Sequence, residues 1–177
     1  MVEPKIIKTD LEFRSLSQLT GVSKIVIHHT GNDEDDDLSA KEIHAIHKGM
    51  GWAGIGYHFV IRKNGVIESG RPEWAWGAHA EIYNPYTIAV HLCGNFELDA
   101  VHPTAAQIES AAYLIGWLCE KYNLTPDAGH VVGHRDLMAT ACPGKNLYLP
   151  NPVTGETLMQ TIRGKAIWYQ QNYQKGD

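Results

Sequence analysis

The stretch Lys24-Ile25-Val26-Ile27-His28-His29-Thr30-Gly31 decides the fold of this 177-residue chain. Its run of β-branched residues predicts a central β-strand. The run stops at His28, and polar residues with a glycine follow at once. Functional side chains collect at the ends of such strands, where they leave the core while the backbone is still held rigidly. His28 is therefore the first candidate for a functional residue.

Strand and helix patterns alternate along the rest of the chain. Ser39 and Thr104 each open a capping box, which predicts that a helix starts at the next residue. Asn64-Gly65, between two apolar runs, predicts a hairpin turn. The predicted elements after the first strand are helices over about 40–48, 105–122 and 155–172, a hairpin over 56–68, and strands over 87–92 and 130–132. This alternation predicts an α/β or α+β fold, in a single domain over residues 1–177, around one mostly buried sheet.

The composition argues against several classes of protein. A formal net charge of −5 disfavours a general affinity for nucleic acid or anionic lipid, because both need a basic surface. No apolar run reaches the ~20 residues that a membrane-spanning helix needs. Residues 1–20 mix charged and apolar side chains and contain no signal-peptide apolar stretch. We therefore expect neither a nucleic-acid partner nor insertion into a membrane.

The three cysteines are not spaced like a disulfide framework, because their number is odd and their spacing does not repeat. Cys93 and Cys119 lie in apolar strand and helix patterns, so we expect both to be buried and inert. Cys142 differs from them. Pro143 and Gly144 follow it directly, which predicts irregular backbone at this cysteine.

His134 lies just after the strand predicted over 130–132 and eight positions before Cys142. Together with His28, these side chains make a known catalytic zinc set, in which the fourth coordination position is left for water. A structural zinc would more often have four protein ligands and paired cysteines. The same residues also fit a nucleophilic cysteine activated by an imidazole. Residue spacing alone leaves both readings open.

Two other polar clusters are interpreted without a catalytic role. His44 and His47 share one face of the first predicted helix, but the segment offers no third metal ligand. The acidic run over 33–37 is interpreted as a solvated loop before that helix, where negative charge is favoured. It lacks the ligand spacing and central glycine of an EF-hand calcium loop.

Four blocks of this sequence resemble the type-2 N-acetylmuramoyl-L-alanine amidase family, which includes amidase-type phage lysozymes and peptidoglycan recognition proteins. In chain order they are IVIHHTG, GWAGIGYHFVIRKNGVIESGRPEWAWGAHA, YNPYTIAVHLCGNF and GHRDLMATACPG, which run from about residue 24 to 144. The resemblance implies the family's fold, a mixed sheet flanked by helices. It also implies zinc-dependent hydrolysis of the amide bond between N-acetylmuramic acid and L-alanine in peptidoglycan, as in endolysins and autolysins.

The resemblance also implies roles for individual residues. It implies one zinc ion held by His28, His134 and Cys142. It associates Tyr57 with the catalytic pocket beside the metal, and it gives a catalytic role to Thr140, at a position where some phage enzymes have lysine. The residues expected to contact the substrate or line its cleft are His79, Asn84, Trp52 and His29.

One departure from the family concerns proton transfer. Some relatives carry a glutamate near the end of the strand that corresponds to 89–93 and use it as a general base, but this chain has no acid there. The resemblance then implies that proton transfer falls to Tyr57 and the metal site, or to a residue that the sequence does not identify.

Two alternative functions stay open. Some family members bind peptidoglycan without cutting it, usually after losing a zinc ligand, and a Cys–His hydrolase is the other alternative. The expected partner is peptidoglycan, including its glycan strand and stem peptide, and the expected oligomeric state is a monomer. We expect synthesis in the cytoplasm and action on the cell wall by phage-type release, or secretion if the chain is a processed form.

Overall fold

A six-stranded sheet organises the computed structural model, which describes residues 1–173. The strands are β1 (Ile6–Ile7), β2 (Lys24–His29), β3 (Phe59–Ile61), β4 (Ile67–Ser69), β5 (Thr87–Leu92) and β6 (Val131–Gly133). Their order across the sheet is β1-β4-β3-β5-β2-β6. All neighbours are parallel except β3 and β4, which form an antiparallel hairpin. The predicted fold class, a mixed sheet with helices, is confirmed.

Helices cover both faces of this sheet. They are α1 (Ala40–Gly49), α2 (Ala105–Lys121), α3 (His134–Leu137), α4 (Lys145–Tyr148) and α5 (Leu158–Asn172), with a 3-10 helix over Glu81–Tyr86. The predicted domain span of 1–177 remains a proposal, and residues 174–177 lie outside the described part of the chain. Within residues 1–173, no helix is both long and apolar enough to cross a bilayer.

Strand β2 separates two apolar layers, because alternate side chains of a strand point to opposite faces. Ile25 and Ile27 lie in the larger cluster, which includes residues of α2 and α5. Full burial of each such side chain contributes about 1.5–3 kcal/mol. Val26 and His28 point to the other face, where Ala40 and Ile43 of α1 belong to a smaller cluster. His28 therefore leaves the sheet on the side that carries less helical cover.

The capping residues fix where the helices begin. Ser39 and Thr104 each form the predicted capping box, so α1 and α2 start where the sequence indicates. The last helix begins at Leu158, later than the expected residue 155, because Thr157 forms a capping box with Gln160. The side-chain oxygen of such a cap satisfies a backbone N–H that would otherwise lack a partner.

Candidate metal centre

His28, His134 and Cys142 meet at the carboxyl ends of two neighbouring strands. His28 lies near the end of β2, and His134 follows β6, which pairs with β2 through Ile27 and Gly133. One potential ligand atom from each of the three residues lies within 4.8 Å of the other two. Among the described residues, these three form the one group of at least three His, Cys, Asp or Glu side chains that lie close enough together to hold a metal ion.

The loop that carries Cys142 is bent by contacts at both of its ends. Cys142 O accepts a hydrogen bond from Arg135 N at 2.9 Å, and Cys142 N donates to Thr140 Oγ1 at 3.2 Å. Gly144 has a φ of +94°, and a Cβ at this position would lie 2.6 Å from the carbonyl carbon of Phe96. Only glycine fits this close approach and this backbone conformation. The bend turns the Cys142 sulfur back toward β2.

The Cys142 thiol is protonated, and therefore neutral, when no cation is bound beside it. Burial raises the pKa of the thiol to about 12, although the backbone N–H of His29 donates to the sulfur at 3.4 Å and lowers that pKa. A bound metal ion would reverse this preference, because a coordinating thiol is deprotonated by the charge of the ion. The environment therefore suits a metal ligand better than a free thiolate nucleophile.

Both imidazoles of the cluster are neutral, which is the form that binds metals. Burial lowers the pKa of His28 well below its ordinary value, and His79 and His134 lower it further. Burial also lowers the pKa of His134, and the charge of Glu81 partly opposes this effect. Proton competition for the metal-binding nitrogens is therefore weak at neutral pH.

The donor set fits a tetrahedral ion with three protein ligands. Ligand bonds of ~2.0–2.3 Å place the donor atoms of such a site about 3.5 Å apart. Nδ1 of His28 lies 3.5 Å from the sulfur of Cys142. Two imidazoles and one thiolate are ligands typical of zinc, and three protein ligands leave a position for water or substrate.

Tyr57 lies beside this cluster, as the resemblance implies. Its ring centroid is 5.1 Å from that of His28, and the ring stacks on His91 at 4.6 Å and 20°. Burial raises the pKa of Tyr57 far above neutral pH, and a thiolate at Cys142 would raise it further. Tyr57 therefore keeps its phenolic proton and can donate a hydrogen bond.

Thr140 lies in the same loop as Cys142 and is half-buried. Its oxygen accepts the hydrogen bond from Cys142 N, which leaves the hydroxyl proton to donate elsewhere. The hydroxyl contributes a dipole at this position and no charge.

The four expected cleft residues are placed differently from one another. Nδ1 of His79 lies 2.8 Å from Nε2 of His28, so His79 contacts the cluster directly. Asn84 Oδ1 accepts from the backbone N–H groups of His79 and Ala80, and so fixes their turn. Trp52 is 37% exposed and is free to meet a ligand. His29 points to the opposite face of the sheet from His28, and its Nδ1 accepts from Phe96 N at 3.1 Å.

The structure also brings His47 and His91 to the cleft, neither of which the sequence indicated. The ring of His47 lies 4.5 Å from Trp52 and 5.7 Å from Tyr57. Its Nδ1 accepts from Gly56 N at 2.9 Å, and burial lowers its pKa to about 4. Nδ1 of His91 is buried and has no hydrogen-bond partner among the described residues. These placements depend on long-range contacts that residue spacing does not reveal.

The chain is similar to known proteins in both sequence and fold. The sequence pattern of the N-acetylmuramoyl-L-alanine amidase family matches residues 18–145, so the chain belongs to that family. The endolysin of Enterobacteria phage T3 is 36% identical over 128 residues, which cover 70% of this chain and 81% of that one.

Solved structures extend the similarity to nearly the whole chain. The endolysin N-acetylmuramoyl-L-alanine amidase LysCS from Clostridium intestinale URNW superposes with a TM-score of 0.77 and 36% identity, over 93% of this chain and 96% of that one. A complex of the peptidoglycan recognition proteins LCa and LCx with tracheal cytotoxin has a TM-score of 0.68 and 29% identity, over 81% and 92%. Together with the endolysin relatives, these matches support an amidase that acts on peptidoglycan.

Proposed function

We propose that the protein is a zinc-dependent amidase that cleaves the bond between N-acetylmuramic acid and the L-alanine of the stem peptide. The observation that carries this proposal is the convergence of His28, His134 and Cys142, whose ligand atoms lie within 4.8 Å of one another. Family membership over residues 18–145 supplies the class of bond that is cleaved.

A zinc ion in this cluster would supply a Lewis acid for the amide carbonyl and would activate water at neutral pH. His28 and His134 would hold it as neutral donors, and Cys142 as a thiolate. The end of β2 and the segment that follows β6 bring these three side chains together without an ion, so little ordering remains to be done when the ion binds.

Tyr57 donates a hydrogen bond to the oxygen that gains negative charge as the amide carbonyl is attacked. Its stacking on His91 fixes the ring beside His28, and its raised pKa keeps the proton on the phenol. A single positioned donor of this kind lowers the barrier by ~3 kcal/mol. Thr140 offers a second hydroxyl proton from the loop of Cys142, without the charge that a lysine would add.

The substrate lies along the cleft beside Tyr57. Trp52 offers an exposed aromatic face next to His47, and such faces bury the apolar side of sugars and peptides. Asn84 uses Oδ1 for the turn that carries His79, so its amide N–H groups can donate to the substrate. The bound tracheal cytotoxin in the recognition-protein complex, a muropeptide, supports a peptidoglycan ligand. We propose that the protein acts on the cell wall as a monomer.

Two observations argue against the alternative functions. A binding module that had lost its metal site would not need all three donors, and this chain keeps them. A Cys–His hydrolase needs a reactive thiolate, but burial raises the pKa of Cys142 to about 12.

The test is digestion of purified peptidoglycan, followed by measurement of newly exposed L-alanine amino groups. We expect amino groups to appear, to be lost after treatment with a chelator, and to return when zinc is added. Sedimentation with peptidoglycan without release of amino groups would indicate a binding module. Release that survives the chelator and is abolished by alkylation would indicate a Cys–His hydrolase.

A further inference from the structure

A chain of hydrogen bonds connects the metal cluster to a backbone carbonyl at the start of β5. Thr87 Oγ1 donates to Tyr83 O at 2.8 Å. A hydroxyl has only one proton to donate. Toward its second neighbour, Nε2 of His79 at 3.0 Å, Thr87 must therefore act as the acceptor.

The hydrogen bond from Thr87 to Tyr83 O sets the direction of every other hydrogen bond in the series. Nε2 of His79 carries the proton that Thr87 accepts, so Nδ1 of the neutral ring is an acceptor. Its partner at 2.8 Å is Nε2 of His28, which must then be the donor. The lone pair of His28 is left on Nδ1, the atom that lies 3.5 Å from the sulfur of Cys142.

We propose that Thr87, acting through His79, is the positioning residue that selects the metal-binding tautomer of His28. This inference rests on the proposed metal site and goes beyond it, because Thr87 is fully buried and reaches His28 only through His79. In the opposite tautomer, Nδ1 of His28 would carry a proton directed at the cluster, and that proton would have to be displaced before an ion could bind.

The backbone holds both ends of this series of hydrogen bonds in place. Thr87 is fully buried at the start of β5, and β5 pairs with β2 so that Thr87 lies opposite Lys24 and His91 lies opposite His28. Thr87 and His28 therefore lie on the same face of the sheet, with His79 between them. Asn84 fixes the backbone of His79 through a hydrogen bond of 3.1 Å. The tautomer is thus built into the fold and does not depend on solvent.

Two measurements on the full-length protein test the proposal. The first is the protonation state of each His28 nitrogen in the metal-free protein, read from 15N chemical shifts by NMR. The second is the zinc dissociation constant, measured by competition with a chelator. The variants are Thr87→Val, which keeps the shape and removes the hydroxyl, and Thr87→Ser, which restores the hydroxyl. Thr9→Val is the matched control, because Thr9 Oγ1 also donates to a backbone carbonyl, that of Ser69 at 2.7 Å, beside strand β1.

We expect Thr87→Val to weaken zinc binding about tenfold, at the lower end of the loss that is usual when the direct partner of a ligating histidine is removed, because His79 itself remains. Thr87→Ser and Thr9→Val should stay within about threefold of the parent protein. The NMR spectrum should show an unprotonated Nδ1 on His28 in the parent and Thr87→Ser proteins, and a mixture of tautomers in Thr87→Val. A folded Thr87→Val protein with unchanged affinity and an unchanged tautomer would overturn the proposal.

A second pair of variants covers the case in which Thr87→Val does not fold. His79→Asn keeps an oxygen close to the position of Nδ1, whereas His79→Leu removes the acceptor. We expect the first to bind zinc more tightly than the second, and equal affinities would contradict the proposal. If the parent protein itself binds no zinc, the proposed metal function fails, and the tautomer of His28 in the metal-free protein still decides the role of Thr87.

Discussion

The sulfur of Cys142 lies 3.5 Å from Nδ1 of His28, although 114 positions separate the two residues in the sequence. The contact exists because β2 ends beside β6, and because the loop after β6 bends back over the end of the sheet. The proposed metal site depends on that convergence, and substitutions of neighbouring residues test what each of them adds to it.

Tyr57→Phe removes one hydroxyl and keeps the ring that stacks on His91. We expect kcat to fall about 100–1,000-fold, because a donor to the developing negative charge is lost. Zinc affinity and the thermal midpoint should stay close to those of the parent protein. Amino-group release from peptidoglycan, measured over a range of substrate concentrations, separates kcat from KM. A loss seen only in KM would assign Tyr57 to ground-state binding instead.

Thr140→Val tests the hydroxyl beside Cys142. The variant removes a donor proton and the oxygen that accepts from Cys142 N, so we expect a lower kcat and a modestly weaker zinc affinity. Thr140→Ser retains both functions and serves as the control. If valine and serine gave the same kcat, the hydroxyl would have no part in the reaction.

Gly144→Ala tests the bend that turns Cys142 toward His28. The new Cβ would lie 2.6 Å from the backbone of Phe96 at a φ of +94°, so we expect a cost of about 2–3 kcal/mol or more and weaker zinc binding. Gly155→Ala is the matched control, since its φ is +72° but no atom lies within 4 Å of the new Cβ. That variant should cost about 1 kcal/mol and leave zinc affinity unchanged. Chemical denaturation and chelator competition measure the two effects, and equal results for both variants would contradict the steric argument.

We expect protonation of the buried His58 to lower the stability of the folded protein in mild acid. Its Nδ1 accepts from Ala89 N at 3.0 Å and its Nε2 donates to Ala75 O at 2.7 Å. Burial lowers its pKa from 6.5 to about 4, although the Ala75 hydrogen bond raises it. As the pH falls, His58 therefore takes up a proton in the unfolded chain before it does so in the folded protein. The contribution of neutral His58 to stability is fully present above pH 6.5 and is lost as the pH falls toward 4.

Between pH 7 and pH 5 we expect His58 alone to remove about 2 kcal/mol of unfolding free energy. His58→Gln, which cannot titrate, provides the control that separates this effect from those of the other histidines. Denaturant unfolding at the two pH values gives the slope for each protein. The same pH slope in both proteins would exclude His58 as a contributor.

Local sequence patterns predicted those helices and strands whose ends are set by residues close in the sequence. The β-branched run of β2 and the capping residues Ser39 and Thr104 indicated element positions that the structure confirms. Cys93 and Cys119 are buried as expected. Strand β1 was not predicted, because two residues carry no periodicity and the pairing of Ile6 with Ile67 arises only in the folded sheet.

The family resemblance and the positions of the strand ends predicted part of the candidate site but not the contacts around it. The three proposed ligands could be named from the sequence, but the contact of His79 with His28 and its link to Thr87 required the folded chain. The acidic run is more than a solvated loop, because Asp35 accepts from Asn95 N and belongs to a network of loop contacts. Such contacts join residues that no local pattern relates to one another.

The central claim is that one zinc ion is held by His28, His134 and Cys142, and elemental analysis of the purified protein tests it most directly. We predict about one zinc per chain in the parent protein, a loss of zinc in His28→Ala and Cys142→Ser, and retention of zinc in His44→Gln, where the histidine lies outside the cluster. A parent protein that takes up no zinc from zinc-containing buffer, or a Cys142→Ser variant that keeps its zinc in full, would contradict the account.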